Sequence, residues 1–250
     1  MQSSRGTADS RSVIRLLATT VGAVLLLAGC STEEGLRAQA LLQQAESAQA
    51  KLASSTFDGS MSFSFQGEQL SMQFRGATSK QDEWFSLTAR GLPGAGDLSM
   101  QMLRRGGRVW TNIGGSWQSS GAASGVGSGG MSATAFQELA RYVKDVRVAE
   151  HQLVAGKVVT TIAGDIDTQA MVGALTKLGP LTDSGGFDLT KLGVELGDIH
   201  ALLTIDERTH LLDTALIRFG VEAQGEKMQF ELRYRLTSAN EPVELPSPTG

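Results

Sequence analysis

The sequence predicts an α+β protein built on a long antiparallel β-sheet with few helices. Apolar and polar residues alternate at a period of two in about ten or eleven segments that follow one another in hairpin order. Helical periodicity occurs once before these segments and twice in the middle of the chain. A sheet of that size must curl, split or close. We therefore expect the central helices to lie in the hollow of a curled sheet.

The chain begins with a segment typical of an export signal. Arg5, Arg11 and Arg15 precede an uncharged apolar run over residues 16–29. That run has about fourteen residues, whereas a membrane-spanning helix needs roughly twenty. A basic start, a short apolar stretch and a small-residue end indicate a secretory signal peptide.

The end of this segment, Leu27, Ala28, Gly29 and Cys30, resembles the lipobox of bacterial lipoproteins. In that family the cysteine sulfur carries a diacylglycerol and cleavage falls just before it, so the resemblance implies that residues 1–29 are removed. Cys30 is the only cysteine of the chain, which argues against a disulfide. Acyl chains on Cys30 would hold the protein stably at the outer face of the cell membrane. A signal peptide with a chance cysteine, or an uncleaved anchor, is the alternative.

The chain from Cys30 to Gly250 has a net charge near −6, against −4 for the whole sequence, because three arginines and one aspartate precede it. An acidic chain is a poor partner for nucleic acid. No other apolar run is long enough to span a membrane. We expect a lipidated tether over residues 30–35 and a single domain over residues 36–250.

The elements of the first half follow in order. Residues 36–53 have apolar side chains at three- and four-residue steps, which predicts an amphipathic helix. The period changes to two over residues 60–74, which predicts a hairpin that turns at Gly67 and Glu68. Further strands are predicted over residues 82–89, 97–103 and 108–113, and around Trp117.

The middle of the chain interrupts this alternation. Residues 121–130, GAASGVGSGG, predict a flexible loop in preference to a domain linker. Helices are predicted over residues 132–145 and 167–179, with a hairpin over residues 146–166 between them. The last third predicts a three-stranded antiparallel meander over 198–236, followed by an extended tail limited by three prolines.

Three segments together resemble the LppX/LprG-type lipoproteins of actinobacteria and, more distantly, the LolA/LolB lipoprotein carriers. They are the lipobox followed by an Ala-rich helix and SSTFDGSMSFSF, the strand, turn and strand ALLTIDERTHLLDTALI, and the end LRYRLTSANEPVELPSP. The resemblance implies a strongly curved, unclosed antiparallel sheet, a half-barrel, with α-helices packed on its concave face and an apolar cavity that holds acyl chains. The glycine-rich segment 121–130 has no counterpart in that pattern.

The resemblance also implies that the apolar face of the sheet and the two central helices line the cavity. The side chains it points to are Phe63, Phe65, Met72, Phe74, Met100, Met102, Phe136, Leu139, Met171, Leu175, Leu203, Phe219 and Phe230. For each of them taken singly, an ordinary filled core is the alternative. Seven methionines follow Cys30, and methionine is common on adaptable apolar surfaces.

Patterns for catalysis and metal binding are weak. His151, His200 and His210 have no partner at metal-ligand spacing. The chain has neither a G-x-S-x-G elbow nor a complete phosphate-binding loop. Asp165 and Asp167 lack the further ligands of a calcium loop, so a helix cap is the better interpretation. We predict a protein that is not an enzyme and that uses no metal or cofactor.

The leading hypothesis is a monomeric, membrane-anchored lipoprotein that binds acyl chains of a lipid or lipoglycan and carries or presents them in the cell envelope. Its expected partners are a lipid or glycolipid ligand, the membrane through the acyl anchor, and an export or envelope protein. The alternative is a protein-interaction or sensory lipoprotein with the same sheet and a filled core.

Overall fold

The computed structural model describes residues 33–65, 68–80, 82–92, 96–122, 142–168, 194–223 and 225–248. Within these ranges the chain forms one helix, α1 (residues 33–49), and one sheet of eleven strands. The strands are β1 (Ser54–Phe65), β2 (Glu68–Ser79), β3 (Asp82–Leu92), β4 (Gly96–Arg105), β5 (Arg108–Ile113), β6 (Ser116–Ala122), β7 (Val143–Val154), β8 (Lys157–Ile166), β9 (Val194–Asp206), β10 (Leu212–Ala223) and β11 (Glu226–Ala239).

The sheet consists of two antiparallel meanders that are joined by the first and last strands. Its order is β6-β5-β4-β3-β2-β1-β11-β10-β9-β8-β7, so β6 and β7 are the edge strands among the described residues and the sheet is not closed. In the central β1–β11 pair, Met61 lies opposite Leu232 and Phe63 lies opposite Phe230. The predicted fold class, an α+β half-barrel with a curved and unclosed sheet, is confirmed.

The predicted helix over residues 132–145 is wrong at its end. Val143, Lys144 and Asp145 belong to β7, where Val143 pairs with Ile166 of β8 and is 7% exposed. Val143, Val146 and Val148 fall in this stretch, with a register shift between Lys144 and Arg147, and β-branched side chains favour a pleated, half-buried strand. The pairing with β8 therefore takes precedence over the helical spacing.

Other predictions for the middle of the chain lie mostly outside the described residues. This applies to the rest of the 132–145 helix and to the helix over 167–179 beyond its first two residues. Of the glycine-rich segment 121–130, Gly121 and Ala122 end strand β6 and the remainder lies outside.

Helix α1 packs on the apolar, concave face of the sheet. Ala38, Leu42 and Ala45, spaced four and three residues apart, are 0–3% exposed and belong to the same core cluster as Phe57 and Ile205. The opposite side of the helix is solvent-exposed. The narrow, alanine-rich stripe thus lets the helix axis approach the sheet closely.

The apolar face as the candidate functional site

Eight of the thirteen side chains predicted to line a cavity can be placed, and all eight lie on one face of the sheet. Successive residues of a strand point to opposite faces, so residues paired across neighbouring strands share a face. The eight are Phe63, Met72, Phe74, Met100, Met102, Leu203, Phe219 and Phe230. The side chains of Phe65, Phe136, Leu139, Met171 and Leu175 lie outside the described part of the structure.

The part of this face nearest α1 is a packed core. Phe74 and Leu203 are 3% and 2% exposed and belong to the cluster that includes Leu42. An aromatic row crosses it, with ring centroids 6.5 Å apart between Phe57 and Phe74. Tyr234 continues the row at 5.6 Å from Phe57, and burial raises the pKa of its hydroxyl.

Two glycines make room for this aromatic row. A Cβ at Gly76 would collide with the ring of Phe57, and a Cβ at Gly59 would collide with the ring of Phe74 and with the backbone carbonyl of Arg233. Each phenylalanine therefore lies over the bare backbone of the neighbouring strand. The sequence analysis did not single out either glycine, because their role depends on cross-strand register.

The remaining six placed side chains form what we call the half-buried apolar surface: Phe63, Met72, Met100, Met102, Phe219 and Phe230. The rings of Phe219 and Phe230 stack at a centroid distance of 4.9 Å and an interplanar angle of 4°. The ring of Phe63 lies 5.4 Å from that of Phe230, so the three rings form a ladder across β1, β11 and β10.

Methionines extend the ladder toward β4. Met72 pairs with Met61, and both side chains are half-buried, as are Met100 and Met102. Met61 and Leu232 were not among the predicted cavity residues, although the alternation of Met61 with Phe63 and of Leu232 with Phe230 could have identified them. Flexible thioether side chains adapt their shape to a guest, so this surface suits a ligand of variable conformation.

A charged pair borders the apolar face at the end near the β2–β3 turn. Nη2 of Arg104 donates a hydrogen bond of 2.9 Å to Oε2 of Glu83, whose side chain is 4% exposed. In the adjacent position the hydroxyls of Ser55 and Thr78 are 2.8 Å apart. This end of the face is therefore polar and closed by internal bonds.

Around β1, β10 and β11 the opposite face of the sheet is polar. Glu231 accepts hydrogen bonds from Nε of Arg218 at 2.9 Å and Nε of Arg233 at 2.6 Å, and these arginines, Arg218 first, lower its pKa. Asp58 accepts two hydrogen bonds from Arg235, at 3.1 and 2.6 Å, and raises the pKa of that guanidinium.

A groove of about 950 Å³ crosses the polar face from β4 to β7. Most of the residues that line it have hydroxyl, amide or charged side chains, such as Thr161, Thr204, Ser86 and Gln101. An acyl chain bound in this groove would cover polar side chains and leave them without hydrogen-bond partners, which is unfavourable. The candidate ligand surface is therefore the apolar face.

Two of the histidines lie beside carboxylates. Nδ1 of His200 lies 2.7 Å from Oδ1 of Asp165, and Nδ1 of His151 lies 3.1 Å from Oε1 of Glu207. In the ranges that the structure describes, no three histidine, cysteine or acidic side chains come together as metal ligands would. Across those same ranges, no helix has the length and hydropathy needed to cross a membrane.

The described residues define an open-sheet α+β protein with one apolar face that is packed near α1 and half-buried elsewhere. Among solved structures, LprF from Mycobacterium bovis is similar over 86% of this chain and 98% of its own, with 17% identity and a TM-score of 0.51. The chain thus has the fold of the LppX/LprG-type lipoproteins, and the resemblance drawn from the sequence is confirmed at the level of the fold.

Other solved structures match less well. LppX, a lipoprotein of Mycobacterium tuberculosis, has 14% identity and a TM-score of 0.44, covering 84% of this chain and 98% of its own. A LolA superfamily protein from Nitrosomonas europaea has 7% identity and a TM-score of 0.27, with 84% and 94% coverage. No protein-family model and no curated protein matches the sequence.

Proposed function

We propose that this protein is a membrane-anchored lipoprotein that binds acyl chains of a lipid or lipoglycan and carries or presents them in the cell envelope. The half-buried apolar surface supports this proposal, because the part of the same face nearest α1 is packed while these side chains are not fully covered. Each methylene buried there would contribute about 0.8 kcal/mol.

The binding we propose needs no chemical step. Phe219, Phe230 and Phe63 would supply a rigid wall, and the methionines of β2 and β4 would adapt to the acyl chain. Affinity would grow with acyl-chain length and depend little on headgroup. The chain is accordingly proposed to be a carrier and not an enzyme.

The proposed domain organisation follows the sequence. Residues 1–29 would be removed, an acylated Cys30 with residues 30–35 would tether the protein, and residues 36–250 would form the ligand-binding domain, with a loop over 121–130. Intact-mass measurement of membrane-extracted protein tests the anchor. We expect a diacylglycerol on Cys30 and its loss in Cys30→Ser. An unmodified cysteine would refute the anchor.

Native mass spectrometry of the purified Cys30→Ser protein tests ligand binding. We expect a lipid adduct that is removed by delipidation and restored by adding a phospholipid. Met72→Trp, which fills the apolar surface, should lower occupancy several-fold, whereas Leu202→Trp on the polar face should not. A folded protein that takes up no lipid would refute the carrier and favour the protein-interaction alternative.

A further inference from the structure

The tip of the β7–β8 hairpin exposes an unusual concentration of apolar side chains. Leu153 is 71% exposed, Val154 45% and Val158 43%, all within six residues. Ala155 and Gly156 have φ values of 49° and 80°, as a tight two-residue turn requires, so the tip is a defined structure. Contiguous exposed apolar groups on a folded protein mark a site of interaction.

The first turn of α1 lies against the same β7–β8 hairpin, with Gly35 near the carbonyl oxygen of Val146 and the side chain of Arg37 directed toward the β9–β10 turn. Nη2 of Arg37 is 3.7 Å from Oε1 of Glu207, and the backbone N–H of Glu207 donates a 3.0 Å hydrogen bond to the carbonyl of Val158. The neighbouring Leu36 is 72% exposed. The hairpin that carries the exposed tip is therefore the one against which α1 begins.

The short chain between Cys30 and α1 limits how far the first turn of α1 can lie from the membrane. Glu33 is three residues from Cys30, and three residues span at most about 11 Å. If acyl chains on Cys30 lie in the bilayer, as proposed above, the first turn of α1 stays within about that distance of the membrane surface. A hairpin that contacts α1 so close to the lipid headgroups, and that exposes apolar side chains at its tip, is suited to contact the bilayer.

We propose that Leu153, Val154 and Val158 form a docking patch that inserts into the outer leaflet beside the lipid anchor. The inference rests on the proposed acylation of Cys30. Nearby charges are mixed in sign, with Glu33 and Glu34 close to Arg37, and Lys157 paired with Asp213 at 3.2 Å. Insertion therefore depends on apolar side chains and not on attraction to anionic lipid.

Docking through this patch would set the orientation of the domain. The tip lies at the end of the strands where β1 begins and β11 ends, whereas Phe63, Phe219 and Phe230 lie toward the opposite end. The aromatic ladder would then face away from the bilayer. That orientation suits presentation of cargo to a partner across the envelope more than direct contact with the anchoring leaflet.

A fluorophore placed at the tip tests the proposal on the full, acylated protein. Leu153→Cys carries the only free thiol once Cys30 is acylated, and it can be labelled with an environment-sensitive dye. In phosphatidylcholine vesicles we expect a blue shift, a several-fold rise in intensity and quenching by spin-labelled lipid. The matched control, Leu202→Cys on the polar face of the sheet, should show none of these changes.

A second variant measures the contribution of the patch. Leu153→Ser with Val154→Ser should desorb from vesicles about tenfold faster than the parent protein, as expected when two side chains lose their apolar burial. Adding phosphatidylglycerol to the vesicles should change the parent rate little. Thermal unfolding of the variant in solution, expected to match the parent, shows that the hairpin still folds.

The outcomes separate this proposal from the one on which it rests. An unacylated Cys30 refutes the anchor and, with it, the docking patch. Acylated, vesicle-bound protein whose label at position 153 stays in water overturns the docking patch alone. A concentration-dependent dimer that shields position 153 without vesicles also overturns it, because the tip would then belong to an interface between two copies along the β7 edge.

Discussion

Arg104 and Glu83 are directly opposite each other on β4 and β3, and their side chains form an ion pair on the apolar face of the sheet. The two partners differ in burial, since Glu83 is 4% exposed and Arg104 is 38% exposed. Nε of Arg104 is buried and makes no hydrogen bond to the part of the chain that the structure describes. Loss of Arg104 and loss of Glu83 should therefore lower the free energy of unfolding by different amounts.

Arg104→Met is expected to lower the free energy of unfolding by about 2–4 kcal/mol, because it removes the guanidinium from a buried carboxylate. Glu83→Gln should cost only about 1 kcal/mol, because the amide keeps the shape and Arg104 can reach water. Urea denaturation at neutral pH measures both. The double variant should recover part of the loss of Arg104→Met, and equal costs for the two single variants would contradict this account.

Gly76→Ala is expected to destabilise the protein by about 1–3 kcal/mol, because the new Cβ collides with the ring of Phe57 in a packed core. Gly197→Ala in β9 is the matched control, since its nearest new contact is a carbonyl oxygen at 3.4 Å. Thermal unfolding compares the two. A loss in Gly76→Ala no larger than in the control would show that the aromatic row shifts without cost.

Glu231→Gln should lower stability at neutral pH, and the difference from the parent should vanish in acid. The folded state lowers the pKa of Glu231 below its ordinary value of 4.5, chiefly through the hydrogen bond from Arg218. A lowered pKa stabilises the fold above the unfolded-state value, and that contribution is lost as pH falls through the folded-state value. Denaturation curves between pH 7 and about pH 3 check this.

A difference that widens on acidification would contradict the sign of this effect. Glu222→Gln is a suitable control, because Lys227 lies 3.9 Å from a carboxylate that is 47% exposed. Such an exposed ion pair contributes little to the free energy of unfolding at any pH.

Two phenylalanine truncations distinguish the packed core from the half-buried apolar surface. Phe57→Ala should cost about 3–5 kcal/mol, because the ring is 2% exposed and its removal leaves a cavity. Phe230→Ala should cost about 1–2 kcal/mol, since only part of that ring is removed from water. We expect lipid occupancy in native mass spectra to fall with Phe230→Ala. A larger loss of stability there than at Phe57 would indicate a filled core.

Much of the sheet was predictable because strand formation depends on neighbouring residues. The alternation of Met61 and Phe63 with serines, and of Phe219 with Val221, identifies strands and assigns each side chain to a face. The β9–β10 turn is equally local, since Oδ1 of Asp206 accepts hydrogen bonds from the backbone of Arg208 and Thr209. The helix prediction failed around Val143 because the spacing of apolar residues there fits both a helix and a strand.

By itself the sequence determined which side chains share the apolar face, because a period of two is a property of the backbone of each strand. Only the tertiary structure decided which of them are packed and which are half-buried. That difference depends on where α1 crosses the sheet, and on the pairing of β1 with β11, which places Phe63 opposite Phe230. Such contacts join residues far apart in the chain, and no local pattern encodes them.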